Sequence, residues 1–171
     1  VWAAPSISQI IPEAPVVVSG NLTSGQTLVV TNVNTNAYKD TTVAEVVKKA
    51  NDDNTVTTVK EILTELKVDT KKEEIKTTTG TKVNPTLYEQ VTPFVDLAIK
   101  EGDKTTLEST GAITATITVD AVKEMEKKDV LLMQIDPSTG KVFFIAPEKM
   151  DKATGEITAT FQTLGPVAVL K

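Results

Sequence analysis

The chain contains no cysteine, no histidine and no arginine, and aromatic residues make up only 4% of its 171 residues. Without cysteine and histidine it cannot form a disulfide, a Cys/His zinc site, a Ser-His-Asp triad or a Cys-His catalytic pair. Without arginine it lacks the planar guanidinium that binds a phosphate or carboxylate through two parallel hydrogen bonds. Composition alone therefore excludes the commonest nucleophilic hydrolases and structural zinc domains.

The charge is mildly acidic, because 18 basic residues, all lysine, stand against 23 acidic residues. The lysines are scattered, and the pairs at 71–72 and 127–128 adjoin acidic residues, as on an ordinary solvated surface. Nucleic-acid binding needs a concentrated basic patch, so the sequence predicts no nucleic-acid partner. No apolar run approaches the ~20 residues that span a bilayer, so the sequence predicts a protein that does not cross a membrane.

The first residues resemble the end of a secretory leader. Val1 and Ala3 occupy the positions of the small residues that a signal peptidase recognises, which places the cleavage after Ala3. The alternative is that Val1 simply begins a domain. The absence of cysteine fits either compartment. Together with the abundant threonine, 28 residues against 6 serines, this start favours an extracytoplasmic, secreted or cell-surface location.

Residues 1–84 are predicted to form a small α+β region. After an extended lead-in, strands over residues 15–19 and 26–33 flank a Gly- and Ser-rich turn and are predicted to pair as a hairpin. Two short helices follow over residues 42–50 and 58–66. The polar stretch 69–84 is predicted to be a linker or mobile loop with at most one helical turn, near residues 71–75.

The two helices share the same signals. Thr42 and Thr58 are predicted N-caps, each followed three residues later by a glutamate, Glu45 or Glu61, in a capping box. Apolar residues at i, i+3, i+4 and i+7 predict that each helix docks one face on a core. These residues are Val43, Val46, Val47 and Ala50 in the first helix and Val59, Ile62, Leu63 and Leu66 in the second.

Residues 85–171 are predicted to form an Ig-like antiparallel β-sandwich of six or seven strands. Apolar and polar residues alternate over residues 95–100, 113–119 and 157–162, as in half-buried strands. The turn at 136–140 is predicted to join two strands as a hairpin. Asp120 is predicted to cap a short helix over residues 121–127. The excess of threonine suits the exposed faces of such sheets.

The order of motifs in this second region is similar to that of a known family. A Val- and Thr-rich strand over residues 113–119 precedes a hairpin containing Asp136 and the triplet Gly-Lys-Val at 140–142. A strand with the sequence Gly-Pro-Val-Ala-Val follows at 165–169. Over about residues 93–171 this resembles the small β-sandwich module that closes many secreted and cell-surface proteins of Gram-positive bacteria. The resemblance implies an extracytoplasmic context and a structural or adhesive role, and it implies no catalytic residues.

Candidate chemistry is sparse. Acidic pairs of the kind used by glycosidases lie in polar segments that are predicted to be exposed; they are Glu73 with Glu74, Glu124 with Glu126, and Asp52 with Asp53. The segment 51–54 offers oxygen ligands for Ca²⁺ but lacks the EF-hand pattern, and the turn at 136–140 is interpreted in the same way. No glycine-rich phosphate loop occurs. The sequence therefore predicts no catalytic, cofactor-binding or metal-binding residue and no cofactor.

A non-enzymatic extracytoplasmic binding or structural module is the leading hypothesis, with a cell-wall or host glycan or protein as partner. A secreted hydrolase or transferase using carboxylate, Lys or Thr residues is the alternative, and a cleft with two facing carboxylates of raised pKa would favour it. An intracellular accessory domain is a third hypothesis. The exposed segments 20–25 and 71–84 are candidate binding surfaces. An internal Lys–Asn or Thr–Gln crosslink, the ligand and the oligomeric state are left open.

Overall fold

The computed structural model of the chain describes residues 15–52, 57–69, 75–109 and 111–171. The predicted cleavage after Ala3 and the predicted lead-in up to residue 14 lie outside these residues. The described strands are β1 (Val16–Ser19), β2 (Gln26–Thr31), β3 (Ile75–Lys76), β4 (Lys82–Val83), β5 (Val95–Glu101), β6 (Lys104–Thr106), β7 (Ile113–Thr118), β8 (Leu131–Ile135), β9 (Val142–Ile145), β10 (Lys149–Asp151), β11 (Glu156–Phe161) and β12 (Gly165–Leu170), and the described α-helices are α1 (Thr41–Ala50) and α2 (Val59–Glu65).

Most of the strands form two antiparallel sheets that pack face to face. The outer sheet has the order β1-β7-β11-β10, and the central sheet has the order β2-β5-β12-β8-β9, with β6 also paired to β5. The two helices pack on the face of the central sheet that is turned away from the outer sheet. The predicted α+β class with an antiparallel sandwich is thus confirmed at the level of layers.

The predicted hairpin between the first two strands is wrong. β1 pairs with β7 in the outer sheet, and β2 pairs with β5 in the central sheet. The connection at residues 20–25 crosses from one sheet to the other, which lets Leu28 bury itself between the sheets at 3% exposure. Strands from both sides of the predicted boundary at residues 84 and 85 therefore share both sheets.

Two hydrophobic cores lie on the two faces of the central sheet. In β8, Leu132 belongs to the core between the sheets, whereas Leu131 and Met133 belong to the core under the helices. A strand covered on both faces buries consecutive residues, which explains why all five residues of β8 are buried and only Gln134 among them is polar. The predicted apolar faces of α1 and α2 are confirmed, since they line the second core together with Phe94.

The helices begin at different caps. Asp40 is the N-cap of α1, where its Oδ1 accepts hydrogen bonds from the N–H groups of Thr42 (2.9 Å) and Val43 (3.2 Å). The predicted cap at Thr42 is wrong because this carboxylate already satisfies the first turn. The predicted cap of α2 is confirmed, since the Thr58 hydroxyl accepts the N–H of Glu61 at 3.1 Å.

Two further predictions need correction. Within the predicted linker, β3 and β4 pair as a small hairpin, and the N–H of Thr78 donates to the carbonyl of Phe144 in β9 at 2.9 Å. The predicted helical turn near residue 71 falls on residues outside those described.

Short 3-10 helices at Asp120–Val122 and Lys127–Asp129 replace the predicted helix after Asp120. Glu124 lies between them with a φ of +67°, which interrupts a right-handed helix.

The hairpin and the threonine pattern of the sandwich are confirmed. β8 and β9 pair across the turn at 136–140, where the N–H of Gly140 donates to the carbonyl of Asp136 at 2.9 Å. On the solvent side of the outer sheet, Thr114 and Thr160 bring their hydroxyl oxygens to 2.7 Å of each other. Paired hydroxyls of this kind stabilise the face of a sheet without an apolar cover.

A side chain at the end of α1 joins the helix layer to the central sheet. The Asn51 amide donates to the carbonyl of Phe94 at 2.9 Å and accepts from the N–H of Phe94 at 2.6 Å. We expect Asn51→Ala to lower the free energy of unfolding by about 2–4 kcal/mol, because both backbone groups lose a partner in a poorly hydrated position. Urea denaturation measures this loss. Asn36→Ala, at an exposed asparagine, is the control and is expected to change stability by less than about 0.5 kcal/mol.

Candidate functional site

A single carboxylate is buried among the described residues, that of Asp96 in β5, which is 1% exposed. Its Oδ1 accepts a hydrogen bond from the Tyr38 hydroxyl at 2.5 Å, and its Oδ2 accepts the N–H of Asn34 at 2.8 Å. The alternating pattern of β5 predicts Asp96 on a half-exposed face. That expectation is wrong because the segment before α1 covers this face of the central sheet.

Burial governs the protonation of this pair. Burial raises the pKa of Asp96, and the hydrogen bonds from Tyr38 and from the N–H of Asn34 oppose that rise only in part. Burial also raises the pKa of Tyr38 far above its usual range, and the neighbouring Asp96 carboxylate adds to the rise. Tyr38 therefore stays protonated and remains the hydrogen-bond donor.

A cleft of about 570 Å³ lies against Asp96. Strand β5 contributes Asp96 and Ala98 to its lining. The rest of the lining comes from four other segments: the end of β2 with the residues before α1, the end of β6 with the residues after it, the turn between β8 and β9, and the residues before β12. Polar and charged side chains dominate the lining, among them Asn34, Lys39, Asp96, Glu108, Asp136 and Thr163. We take this cleft as the candidate functional site.

Buried polar contacts fix the walls of the cleft. The N–H of Asp40 donates to the carbonyl of Pro137 at 2.9 Å, which joins the start of α1 to the β8–β9 turn. The fully buried amide of Gln134 donates to the carbonyl of Thr163 at 2.7 Å. Gly165 has a φ of +118°, and a Cβ there would lie 2.6 Å from the Cδ of Pro137, so the close approach of these segments requires glycine.

The cleft offers polar side chains that can form hydrogen bonds with a ligand. Each oxygen of Asp96 accepts one hydrogen bond from the fold, and these two bonds fix the orientation of the buried carboxylate. Among the described residues no group of three or more acidic side chains is placed to hold a metal ion. Hydroxyl groups such as those of Thr105 and Ser138, which are exposed at the rim, can donate to and accept from a polar ligand.

The acidic pairs suggested by the sequence do not reach this cleft. Glu124 and Glu126 are exposed, and Glu126 forms an ion pair with Lys152 at 3.1 Å. Asp52 is exposed beside the end of α1. Asp53, Glu73 and Glu74 lie outside the described residues. Of the segments considered as calcium ligands, Asn51 binds the backbone of Phe94, and the turn containing Asp136 contributes to the cleft wall.

The proposed internal crosslinks find little support in the geometry. A Lys–Asn crosslink forms in an apolar core, and every lysine of the described residues is exposed. For a Thr–Gln crosslink the buried candidates are Gln90, Gln134, Thr77, Thr92 and Thr163. The Gln90 amide donates to the backbone carbonyl of Thr92 at 2.7 Å. The Gln134 amide binds only backbone groups, the carbonyl of Thr163 and the N–H groups of Gln162 and Thr163.

The two exposed segments suggested as binding surfaces lie in different parts of the structure. Residues 20–25 border a second groove, of about 580 Å³, between β1 and β2. Residues 75–83 form the small hairpin beside β9.

Neither of the helices in the described part of the chain is long and apolar enough to cross a membrane. Comparison with protein-family models, with curated proteins and with solved structures finds no match to this chain.

Proposed function

We propose that this chain is a non-enzymatic binding or structural module of a bacterial secreted or cell-surface protein, with the cleft beside Asp96 as its ligand site. The observation that carries this function is a polar cleft whose buried carboxylate, that of Asp96, is held in place by hydrogen bonds from Tyr38 and from the N–H of Asn34. A rigid sandwich whose loops contact the ligand is a common design for binding domains.

The extracytoplasmic location and the Ig-like arrangement of the strands belong to the same proposal. They are supported by the resemblance of residues 93–171 to the Gram-positive module. The layers agree with a sandwich of antiparallel sheets, to which the helices add a third layer. Cell fractionation with an antibody against the natural protein tests the location.

The lining of the cleft favours a polar ligand, which we take to be a cell-wall or host glycan or protein. The hydroxyls of Thr105 and Ser138 suit the hydroxyl and amide groups of such a ligand, and the carboxylates of Glu108 and Asp136 accept from O–H and N–H donors. Aromatic platforms for stacking sugar rings are absent among the cleft residues. Affinity is therefore expected to come from hydrogen bonds.

Co-sedimentation with insoluble peptidoglycan, mucin and matrix protein, at low and at high salt, is the experiment that tests the proposed function. We expect retention on one of these materials that persists at high salt, because hydrogen-bonded contacts in a cleft are screened far less than surface charges. Recovery of all the protein in the supernatant with every material would contradict the binding function.

Matched variants connect that retention to the cleft. Thr105→Arg places a long side chain at the rim of the cleft and is expected to reduce retention by at least about tenfold, a loss of about 1.4 kcal/mol in binding. Thr64→Arg makes the same change at an exposed position of α2 and is expected to bind as the wild type does. Equal retention by both variants would place the ligand elsewhere on the surface.

A hydrolase remains the second candidate because a carboxyl of raised pKa borders the cleft, as a general acid would. Its test is the release of soluble fragments from peptidoglycan by the wild type and by Asp96→Asn. Fragment release by the wild type that the variant loses, with its fold intact, would favour the enzyme. The absence of release by the wild type would favour the binding module.

A further inference from the structure

The edges of the two sheets are protected to different degrees. β10 carries Lys149 and Asp151, and β6 carries Lys104. The edge of β9 is covered where the N–H of Thr78 donates to the carbonyl of Phe144. Charged side chains and covering segments of this kind keep the unpaired groups of an edge strand from binding another strand.

β1 lacks both kinds of protection. Its four residues carry no charge, and Val16, Val17 and Val18 are 63%, 36% and 62% exposed. They are three of the four large hydrophobic residues that are exposed in the described part of the chain; the fourth is Leu87. β1 pairs with β7 along one edge, and no other described strand pairs with the opposite edge.

An uncharged groove lies beside this edge. β2 is the terminal strand of the central sheet as β1 is of the outer sheet, and the groove of about 580 Å³ runs between the two strands. None of the residues that line it is ionisable, and Val17, Leu22 and Leu28 supply apolar surface. The open side of the sandwich is therefore uncharged, with apolar and neutral polar side chains.

We propose that β1 is a self-association surface, on which β1 of a second copy of this chain pairs antiparallel across a two-fold axis. The two outer sheets then join into one continuous sheet, and the exposed valines of each copy cover those of the other. This surface is separate from the cleft beside Asp96, and its function does not depend on the ligand proposed for that cleft.

The absence of charged side chains on β1 and in the groove favours a second copy of this chain as the binding partner. A two-fold interface brings each patch against itself, so a patch with charge of one sign would repel its own copy, whereas a neutral patch does not. A strand of a charged partner would gain no ion pair on this groove. Four residues from each copy bury less than the ~1,200 Å² of a stable complex, so the dimer is expected to be weak and to depend on concentration.

Sedimentation velocity over an about hundredfold range of protein concentration tests the association, since the dimer fraction follows mass action. We expect the wild type to shift from monomer toward dimer as concentration rises. Val18→Lys, at a position already exposed, is expected to weaken the dimer by at least about tenfold. Its circular dichroism spectrum and thermal midpoint should stay those of the wild type, which separates lost association from lost folding.

Two controls make the outcome specific to β1. Leu87→Lys introduces the same charge at an exposed apolar residue, 78% exposed on a 3-10 helix away from β1, and should leave the dimer intact. A mixture of Val18→Lys and Val18→Glu should recover a dimer that neither variant forms alone. A wild type that stays monomeric over the whole range of protein concentration would overturn the assignment. Protection of the β1 amides from hydrogen exchange would not change that conclusion. Equal loss of the dimer in Leu87→Lys and Val18→Lys would overturn it as well.

Discussion

Replacing Asp96 with alanine is expected to lower the free energy of unfolding by about 2–5 kcal/mol, because one buried and one partly buried donor lose their acceptor at about 1–3 kcal/mol each. These donors are the Tyr38 hydroxyl and the N–H of Asn34. Both belong to the segment that leads into α1, so its attachment to the central sheet depends on this carboxylate. Urea denaturation at neutral pH measures the loss.

Asp96→Asn is expected to cost much less than Asp96→Ala. The asparagine carbonyl can accept the N–H of Asn34, and its amide can donate to the oxygen of Tyr38, so both partners keep a hydrogen bond. If Asn and Ala proved equally destabilising, shape rather than hydrogen bonding would determine the role of this position, and the loss of partners would not be the cause.

Comparison of the wild type with Asp96→Asn measures how Asp96 makes the free energy of unfolding depend on pH. Burial raises the pKa of Asp96 in the folded state, above the ~3.9 of an unfolded aspartate. The folded state then binds the proton more tightly than the unfolded state. The resulting stability is fully present below about pH 4 and is lost as pH rises through the folded-state pKa.

The unfolding free energy of the wild type relative to Asp96→Asn is therefore expected to fall with rising pH across this window, since asparagine does not titrate. Tyr38→Phe removes a hydrogen bond that lowers the pKa of Asp96, so in that variant the fall should be larger in total and should continue to higher pH than in the wild type. Parallel pH profiles for all three proteins would contradict the assignment of the dependence to Asp96.

Phe161→Ala is expected to destabilise the protein by about 3–5 kcal/mol. Phe161 lies in β11, 1% exposed, in the core between the two sheets. The void beside it has a volume of about 10 Å³, at the lower limit of what one water molecule needs. Two paired sheets cannot easily collapse into the space that the ring leaves, so most of the lost contact remains as a cavity.

Phe143→Ala is the matched control for this change. Phe143 is half-buried in β9, with the Lys141 ammonium 5.0 Å from the centre of its ring. Its loss is expected to cost about 1 kcal/mol, as is usual for single substitutions. Thermal and urea denaturation give both values. Equal losses at the two positions would contradict the placement of the main packing energy between the sheets.

The parts of the fold that the sequence predicts well depend on local patterns. Alternation in β7 and β11 places Ile113 and Ile157 inside and threonines outside because neighbouring side chains in a strand point to opposite faces. The helix faces follow from the period of 3.6 residues in the same way. In both cases the information lies within a few residues along the chain.

The parts that the sequence does not predict depend on distant partners. Long-range packing decides whether β1 pairs with β2 or with β7. Adjacency in the chain favours pairing with β2, which the structure does not have. β3 and β4 escape notice because Ile75 and Val83 are isolated apolar residues in a polar stretch. Polar spacing suggests a linker there, whereas the hydrogen bond from Thr78 to β9 holds the hairpin against the sheet.

The candidate site is hidden from the sequence for the same reason. Asp96 and Tyr38 are 58 residues apart, and no spacing rule connects them. The useful signal is an aspartate in the middle of an apolar strand, since a carboxylate covered on that face needs donors from elsewhere in the fold. Such a residue predicts a buried polar contact, although it does not identify the partner.

The position of β12 in the central sheet has a consequence for how the chain matures. β12 lies between β5 and β8, so the sheet cannot close until residues 165–170 have left the ribosome. Until then β5 lacks its partner β12, and this pairing has a long sequence separation, which makes it slow to form. A chain whose central sheet is still incomplete can pass through a secretion channel in an unfolded state, as the proposed export requires.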